Sequence, residues 1–169
     1  MPFFQTGSAI GVDFNNTSTT ALFTLNDIKL GSGDSEWVYV KASGALLTGQ
    51  MCVIGASGTA IKANCTALMD SATSLVGANN LGFPQGQFAD QDYGWVARRG
   101  VGMAVMCSGT AAPSAILYLV TNTNGGISTT AGSGTLAGIL LQASASTASL
   151  VITTAILTWP RCVAVTNAG

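Results

Sequence analysis

The stretch "EWVYVKA", Glu36–Ala42, decides how this chain is read. Trp37, Tyr39 and Lys41 alternate with Val38, Val40 and Ala42, the period of two expected of a strand with two different faces. Aromatic and β-branched residues fill it, as a pleated backbone prefers. The pattern extends outward. "QMCVIGASGTAIKA", residues 50–63, predicts a hairpin, with strands Gln50–Ile54 and Thr59–Ala63 about a Gly55–Gly58 turn. "ILYLVTNTNGGISTT", residues 116–130, repeats that plan with Ile116–Thr121 and Ile127–Thr130 about Asn122–Gly126. Further strands are expected at Ser74–Ala78, Tyr93–Arg98, Gly102–Cys107, Leu136–Ala143 and Leu150–Trp159, with one short helix or turn around Ala67–Ser71. Strong helix formers such as Glu, Lys and Arg are scarce, and 21 glycines punctuate the chain. The expected fold is all-β: a sandwich or barrel-like domain of short antiparallel strands, residues 36–169.

The first 35 residues read differently. "NNTSTTALF" and "LGSGDS" are polar and turn-rich around isolated apolar positions. Phe3, Phe4 and Phe14 have few local partners, which predicts an extended N-terminal arm that packs elsewhere.

Composition bounds the function. In 169 residues, charged side chains make up 8%, against about 25% in an average globular domain. The hydrophobic fraction is 48%, mean hydropathy is +0.46 and the formal net charge is −1. A freely diffusing monomer relies on a mixed charged surface and a net charge well away from zero. A surface of Ser, Thr, Asn, Gln, Ala and Gly suits a chain locked against companions. The 61 residues between Arg99 and Arg161 hold no charge at all. Their apolar runs are short and broken by Thr, Ser, Asn and Gly, so no segment approaches the roughly 20 apolar residues of a membrane-spanning helix. A pI near 4.9 without a basic stripe argues against nucleic acid.

The start, "MPFFQTGSAIGVDF", lacks the basic and apolar regions of a secretory signal, so Cys52, Cys65, Cys107 and Cys162 are expected as reduced thiols. Their spacings fit no zinc site, and three lie in strand-like surroundings, where a thiol serves as a small buried hydrophobe.

Little points to catalysis or a cofactor. Without a single histidine, the chain lacks the commonest general base and the commonest metal ligand. Asp90 and Asp92, in "ADQDYG", are neighbours that could form a carboxylate pair or part of a calcium shell, but two aspartates in a polar turn more simply cap it. "GSGDSE" lacks the third glycine of a dinucleotide fingerprint, and neither a Walker motif nor a G-x-S-x-G elbow occurs.

"DYGWVARRG", residues 92–100, concentrates what remains. On a regular strand Tyr93, Trp95 and Arg99 share one face while Arg98 takes the other, so the two arginines form one patch only if a bulge intervenes, and Gly100 could supply it. Trp, Tyr and Arg dominate binding hot spots, which makes Trp95 with an arginine a candidate interface anchor. Trp159 and Arg161 close "ILTWPR" in the same way, on either side of Pro160, which is expected to stop sheet pairing. Trp37 and Tyr39 open the first strong strand beside Glu36. The candidate interface residues are therefore Trp37, Tyr39, Tyr93, Trp95, Arg98, Arg99, Trp159 and Arg161, with Phe3 and Phe4 of the arm.

Four segments together carry a family likeness: "EWVYVKASGALLTGQMCVI" (36–54), "ADQDYGWVARRGVGMAVMCSGTAAPSAILYL" (89–119), "GTLAGILL" (134–141) and "AILTWPR" (155–161). Their order resembles that of the capsid decoration (cement, or head-stabilisation) proteins of tailed bacteriophages: a V-x-V-x-A-S-x-A-x-x-x-G-Q strand-turn-strand, a Y-G-W-V strand, a strand of glycine and small residues, and a late L-A-G-I strand. The likeness spans Glu36–Arg161, and the first 35 residues lie outside it. It implies a β-rich structural protein on the outer surface of an icosahedral head, assembled in the host cytoplasm. Such a protein is commonly a homotrimer, clasps the major capsid protein and has no catalytic activity. The doubled Arg98-Arg99 departs from the pattern. A head-fibre or receptor- and carbohydrate-binding β module is the alternative, and it needs Trp and Tyr in a solvent-facing groove.

Overall fold

The computed structural model describes residues 12–63, 80–113, 117–119, 125–128 and 134–164. Ten strands run through them: β1 (Ile28–Leu30), β2 (Glu36–Ala42), β3 (Cys52–Ile54), β4 (Thr59–Lys62), β5 (Leu81–Pro84), β6 (Tyr93–Ala111), β7 (Leu117–Leu119), β8 (Ile127–Ser128), β9 (Gly134–Leu141) and β10 (Ala145–Ala164). The pairings close on themselves twice. β2, β4, β3, β5 and the first half of β6 form one ring, shut by β6 against β2. The second half of β6 with β10, β9, β7 and β8 forms another, shut by β8 against β6. The 19-residue β6 is thus common to two barrel-like rings. Closure removes sheet edges, and among the described strands only β1 keeps one free side.

Alternation sets what fills each ring. The even positions of β2, Val38, Val40 and Ala42, lie with Cys52, Ile54, Ala60 and Val96 in one buried cluster. These are small or β-branched side chains, as the narrow interior of a five-stranded ring requires. Leu46 and Phe88 close one end, exchanging backbone hydrogen bonds of 3.0 and 2.9 Å. The second ring is filled by Met103, Val105 and Cys107 of β6, Leu117, Ile127, Leu136, Leu141, Ala155 and Leu157. Each fully buried side chain of this size contributes about 1.5–3 kcal/mol.

The odd positions of β2 and β6 turn Trp37, Tyr39 and Trp95 to the outside of the first ring, where the preceding chain covers them. Phe14 stacks on Trp37 at 4.6 Å and 7° and meets Trp95 edge-on at 5.4 Å. Phe23 packs edge-on against Tyr39 at 5.3 Å and Trp95 at 5.1 Å. Ser18 and Tyr93 exchange backbone hydrogen bonds, and the Leu22 amide donates to the Tyr39 hydroxyl at 3.0 Å. Such aromatic pairs add about 0.5–1.5 kcal/mol each beyond area burial.

The all-β expectation holds, with differences of detail. Two pairings, β2–β4 and β6–β8, are parallel, and β6 and β10 are long rather than short. The predicted strands Tyr93–Arg98 and Gly102–Cys107 are one strand. Both predicted hairpins form, with Ile54 opposite Ala60 and Leu119 opposite Ile127. Of the expected arm, residues 12–35 pack on the strands that follow: Phe14 is in the core and β1 pairs with β2. Pro160 does not end β10. The strand runs on to Ala164, and the proline sits in an irregularity where no ladder bond is needed. Phe3, Phe4, Cys65, Ser74–Ala78 and the turn at Ala67–Ser71 lie outside the described residues.

Candidate functional site

Three strand irregularities meet where the two rings join. On β6, Ala97 pairs with Trp37 but Arg99 with Glu36, so Arg98 is an extra, bulged residue. A few residues on, Gly100 pairs with Leu157 and Met103 with Ala155, which leaves a second extra residue beside Gly100 at φ +143°. On β10, Leu157 pairs with Ile139 and Arg161 with Ala137, so Thr158–Pro160 carry two residues more than the facing strand. Trp159 there sits at φ +51°. For a bulky side chain that is an outlier, costing about 1–3 kcal/mol and held only by its surroundings. Gly138 is one of the constraints. It lies at φ +78°, and a Cβ there would come within 2.6 Å of the Thr158 carbonyl oxygen and 2.9 Å of that of Trp159.

The bulge brings Arg98 and Arg99 into one patch. Arg99 reaches Asp34 Oδ1 at 2.6 Å, and its guanidinium lies 4.7 Å from the centre of the Trp159 ring. Arg98 lies 3.8 Å from Glu36 Oε1, and the Trp159 indole N–H donates to that oxygen at 3.1 Å. Arg161 is exposed, and with Arg98, Ala137, Gly138, Thr158 and Trp159 it lines an open cleft of about 460 Å³. All three arginines of the chain and its only glutamate are gathered here. Asp34 is largely exposed, so its pair with Arg99 contributes about 0–1 kcal/mol, whereas Arg98 and Glu36 are both mostly buried.

Beyond the cleft the outer face of the second ring is bare. Leu150, Ile152, Thr154 and Thr158 of β10 face solvent, as does Leu140 of β9, which sits opposite Ile156. Ile152 is 53% exposed, Leu140 47% and Trp159 44%. The sequence from Leu140 to Trp159 holds no ionised side chain.

No protein-family model, curated protein or solved structure matches this chain.

The structure separates the sequence-derived candidates. Trp159, Arg161, Arg98 and Arg99 come together as one surface cluster. Trp37, Tyr39 and Trp95 do not belong to it: they are core side chains at 2–5% exposure, and Trp95 packs against Phe14, Phe23 and Tyr39. Flanking charges suggested a surface position for them, but those charges belong to the opposite face or to the strand ends. Trp95 is thus a core side chain rather than part of the surface cluster. Tyr93 is half-buried, stacked on Tyr39 and facing the Lys41 ammonium at 5.5 Å.

Sequence reasoning passed over Asp34, Gly138, Leu140 and Ile152. Asp34 could not be found, because its link to Arg99 bridges 65 positions. For Ile152 a signal existed: "LVITTAILT" does not alternate, and both of its faces are apolar or hydroxyl-bearing.

Asp90 and Asp92 are turn caps. Asp90 Oδ1 accepts from the Gly44 amide at 2.6 Å and Asp92 Oδ2 from the Ala89 amide at 2.9 Å. The Gly44 bond, helped by Gln91, holds the Asp90 carboxyl below its usual 3.8. A general acid would need the opposite shift. Burial pushes the Cys52 thiol up to about 12 and that of Cys107 to about 11, which keeps both protonated and unreactive. Among the described residues no group of three metal-ligating side chains occurs, and no helix is long and apolar enough to cross a membrane.

Proposed function

We propose that this chain is a structural virion protein that binds the outside of an icosahedral phage head and stabilises the lattice of its major capsid protein. The observation that carries the reading is the outer face of the second ring, where Leu140, Leu150 and Ile152 lie exposed among threonines and Trp159 with its arginines closes one end. Apolar area of this kind contributes about 25 cal/mol per Å² when a partner covers it. Repetition over a shell then multiplies a modest contact by avidity. The low charge of the whole chain and the resemblance of Glu36–Arg161 to decoration proteins support the same reading. Self-association, most simply as a homotrimer, would hide further neutral surface.

The carbohydrate-binding alternative draws on one observation, the exposed Trp159 in its cleft. One side of that ring already carries Arg99, and Trp37 and Tyr39 are buried, so a groove of several stacking rings is not formed among the described residues. The test is native mass with co-purification. The chain is expected to travel with a large icosahedral particle and to leave it as an oligomer. A dilute, stable monomer with no particle contradicts the proposal, and glycan-array binding by that monomer favours the alternative.

A further inference from the structure

The charges around the cleft do not cancel. Arg99 has Asp34, and Arg98 lies against Glu36, but Arg161 has no carboxylate within ion-pair distance among the described residues. Its guanidinium is exposed and lines the same cleft as Arg98 and the Trp159 ring. The backbone is held in a costly left-handed turn at Trp159, two residues before Arg161, and Gly138 permits the close approach of β9 that fixes it. Strain kept in place beside an unmatched charge marks a site better than either observation does alone.

We propose that this cleft is a carboxylate-binding site that receives an Asp or Glu side chain from a protein partner. A guanidinium offers two parallel N–H donors, which match the two oxygens of a carboxylate. The Trp159 ring gives the methylenes of that side chain an apolar wall, and its indole N–H is already committed to Glu36. Charge selects the ligand class. Three arginines against Asp34 and Glu36 leave one net positive charge, which a singly charged carboxylate balances. A phosphate dianion would exceed it. The identity of the partner rests on the docking proposal above; the chemistry of the site does not.

The isolated protein, titrated with N-acetylglutamate while tryptophan emission is followed, tests this. Trp37 and Trp95 are buried, so the response reports Trp159, and Trp159→Phe should abolish it. Saturable binding is expected with N-acetylglutamate. It should be about tenfold weaker or more with N-acetylglutamine and in Arg161→Gln, the loss of one charge-assisted pair, and intermediate in Arg161→Lys. Arg161 is exposed, so an unchanged melting temperature will show that these variants fold. An equal response to N-acetylglutamine, undiminished binding in Arg161→Gln, tighter binding of inorganic phosphate, or no saturable response at all overturns the assignment. If N-acetylglutamate binds as expected but the chain never travels with a particle, the site stands and the docking proposal falls. If wild type and Arg161→Gln both attach to particles and neither binds N-acetylglutamate, the reverse holds.

Discussion

The two rings share β6, yet their outer faces meet opposite fates. Around the first ring the chain covers its aromatics itself: Phe14 and Phe23, carried by residues 12–27, lie over Trp37, Tyr39 and Trp95, while Leu22, Ile28 and Leu30 stay exposed at the margin of that cover. Around the second ring β9 and β10 show Leu140, Leu150, Ile152 and Trp159 to solvent. Both interiors are packed and apolar, so the difference does not lie in foldability. It lies in what is left for a partner. If the chain docks as proposed, the open face of the second ring is the surface it would offer.

The largest expected effects strip the cover from the first ring. Trp95→Ala and Phe14→Ala each empty a fully packed aromatic position and should cost about 3–5 kcal/mol in urea unfolding. A loss below about 1 kcal/mol for Phe14→Ala would mean that residues 12–27 are not part of the core. Gly138→Ala sharpens the junction between the rings. The added methyl meets two carbonyl oxygens at a positive φ, and a loss of about 1–3 kcal/mol is expected with a shift of Trp159 emission.

Alkaline unfolding samples both interiors at once. Cys52 lies in the first ring and Cys107 in the second, and burial raises both thiols above their usual 9.0. Above pH 9 the unfolded chain ionises its thiols and the folded chain does not. Their contribution is therefore complete below pH 9 and is lost as the pH climbs toward about 11–12. Replacing both with Ala should flatten that fall in the melting temperature; an unchanged slope would place it elsewhere. Smallest of all, Leu140→Ser and Ile152→Ser should change stability by no more than about 0.5 kcal/mol, because those side chains are half-exposed already. A large loss from either would show that the strip is structural.

Where the sequence was legible, one face of each strand differed from the other. "EWVYVKA" and the two hairpins betrayed themselves through alternation and glycine turns. β5 did not, because "LGFP" ends in a proline and reads as a turn, and Gly82 and Phe83 enter the sheet only through distant partners. Closure into two rings was equally hidden: it depends on pairings such as Trp37 with Ala97 and Cys107 with Ile127, which no local pattern encodes. Of the candidate site, the arginine bulge could be anticipated from Arg98-Arg99-Gly100. The tryptophans misled because charge beside an aromatic along the chain says little about charge beside it in space. Trp37 and Trp159 both neighbour Glu36, Trp37 in sequence and Trp159 by a hydrogen bond, yet only Trp159 is exposed.

Occupancy on the purified particle tests the contrast most directly, comparing wild type, the double variant Leu140→Asp/Ile152→Asp on the second ring, and Leu22→Asp on the cover of the first. The expected result is that the double variant folds normally and is lost from the particle while Leu22→Asp remains at full occupancy. Retention of the double variant, or loss of Leu22→Asp alone, would contradict the assignment of the open ring as the face that meets the shell.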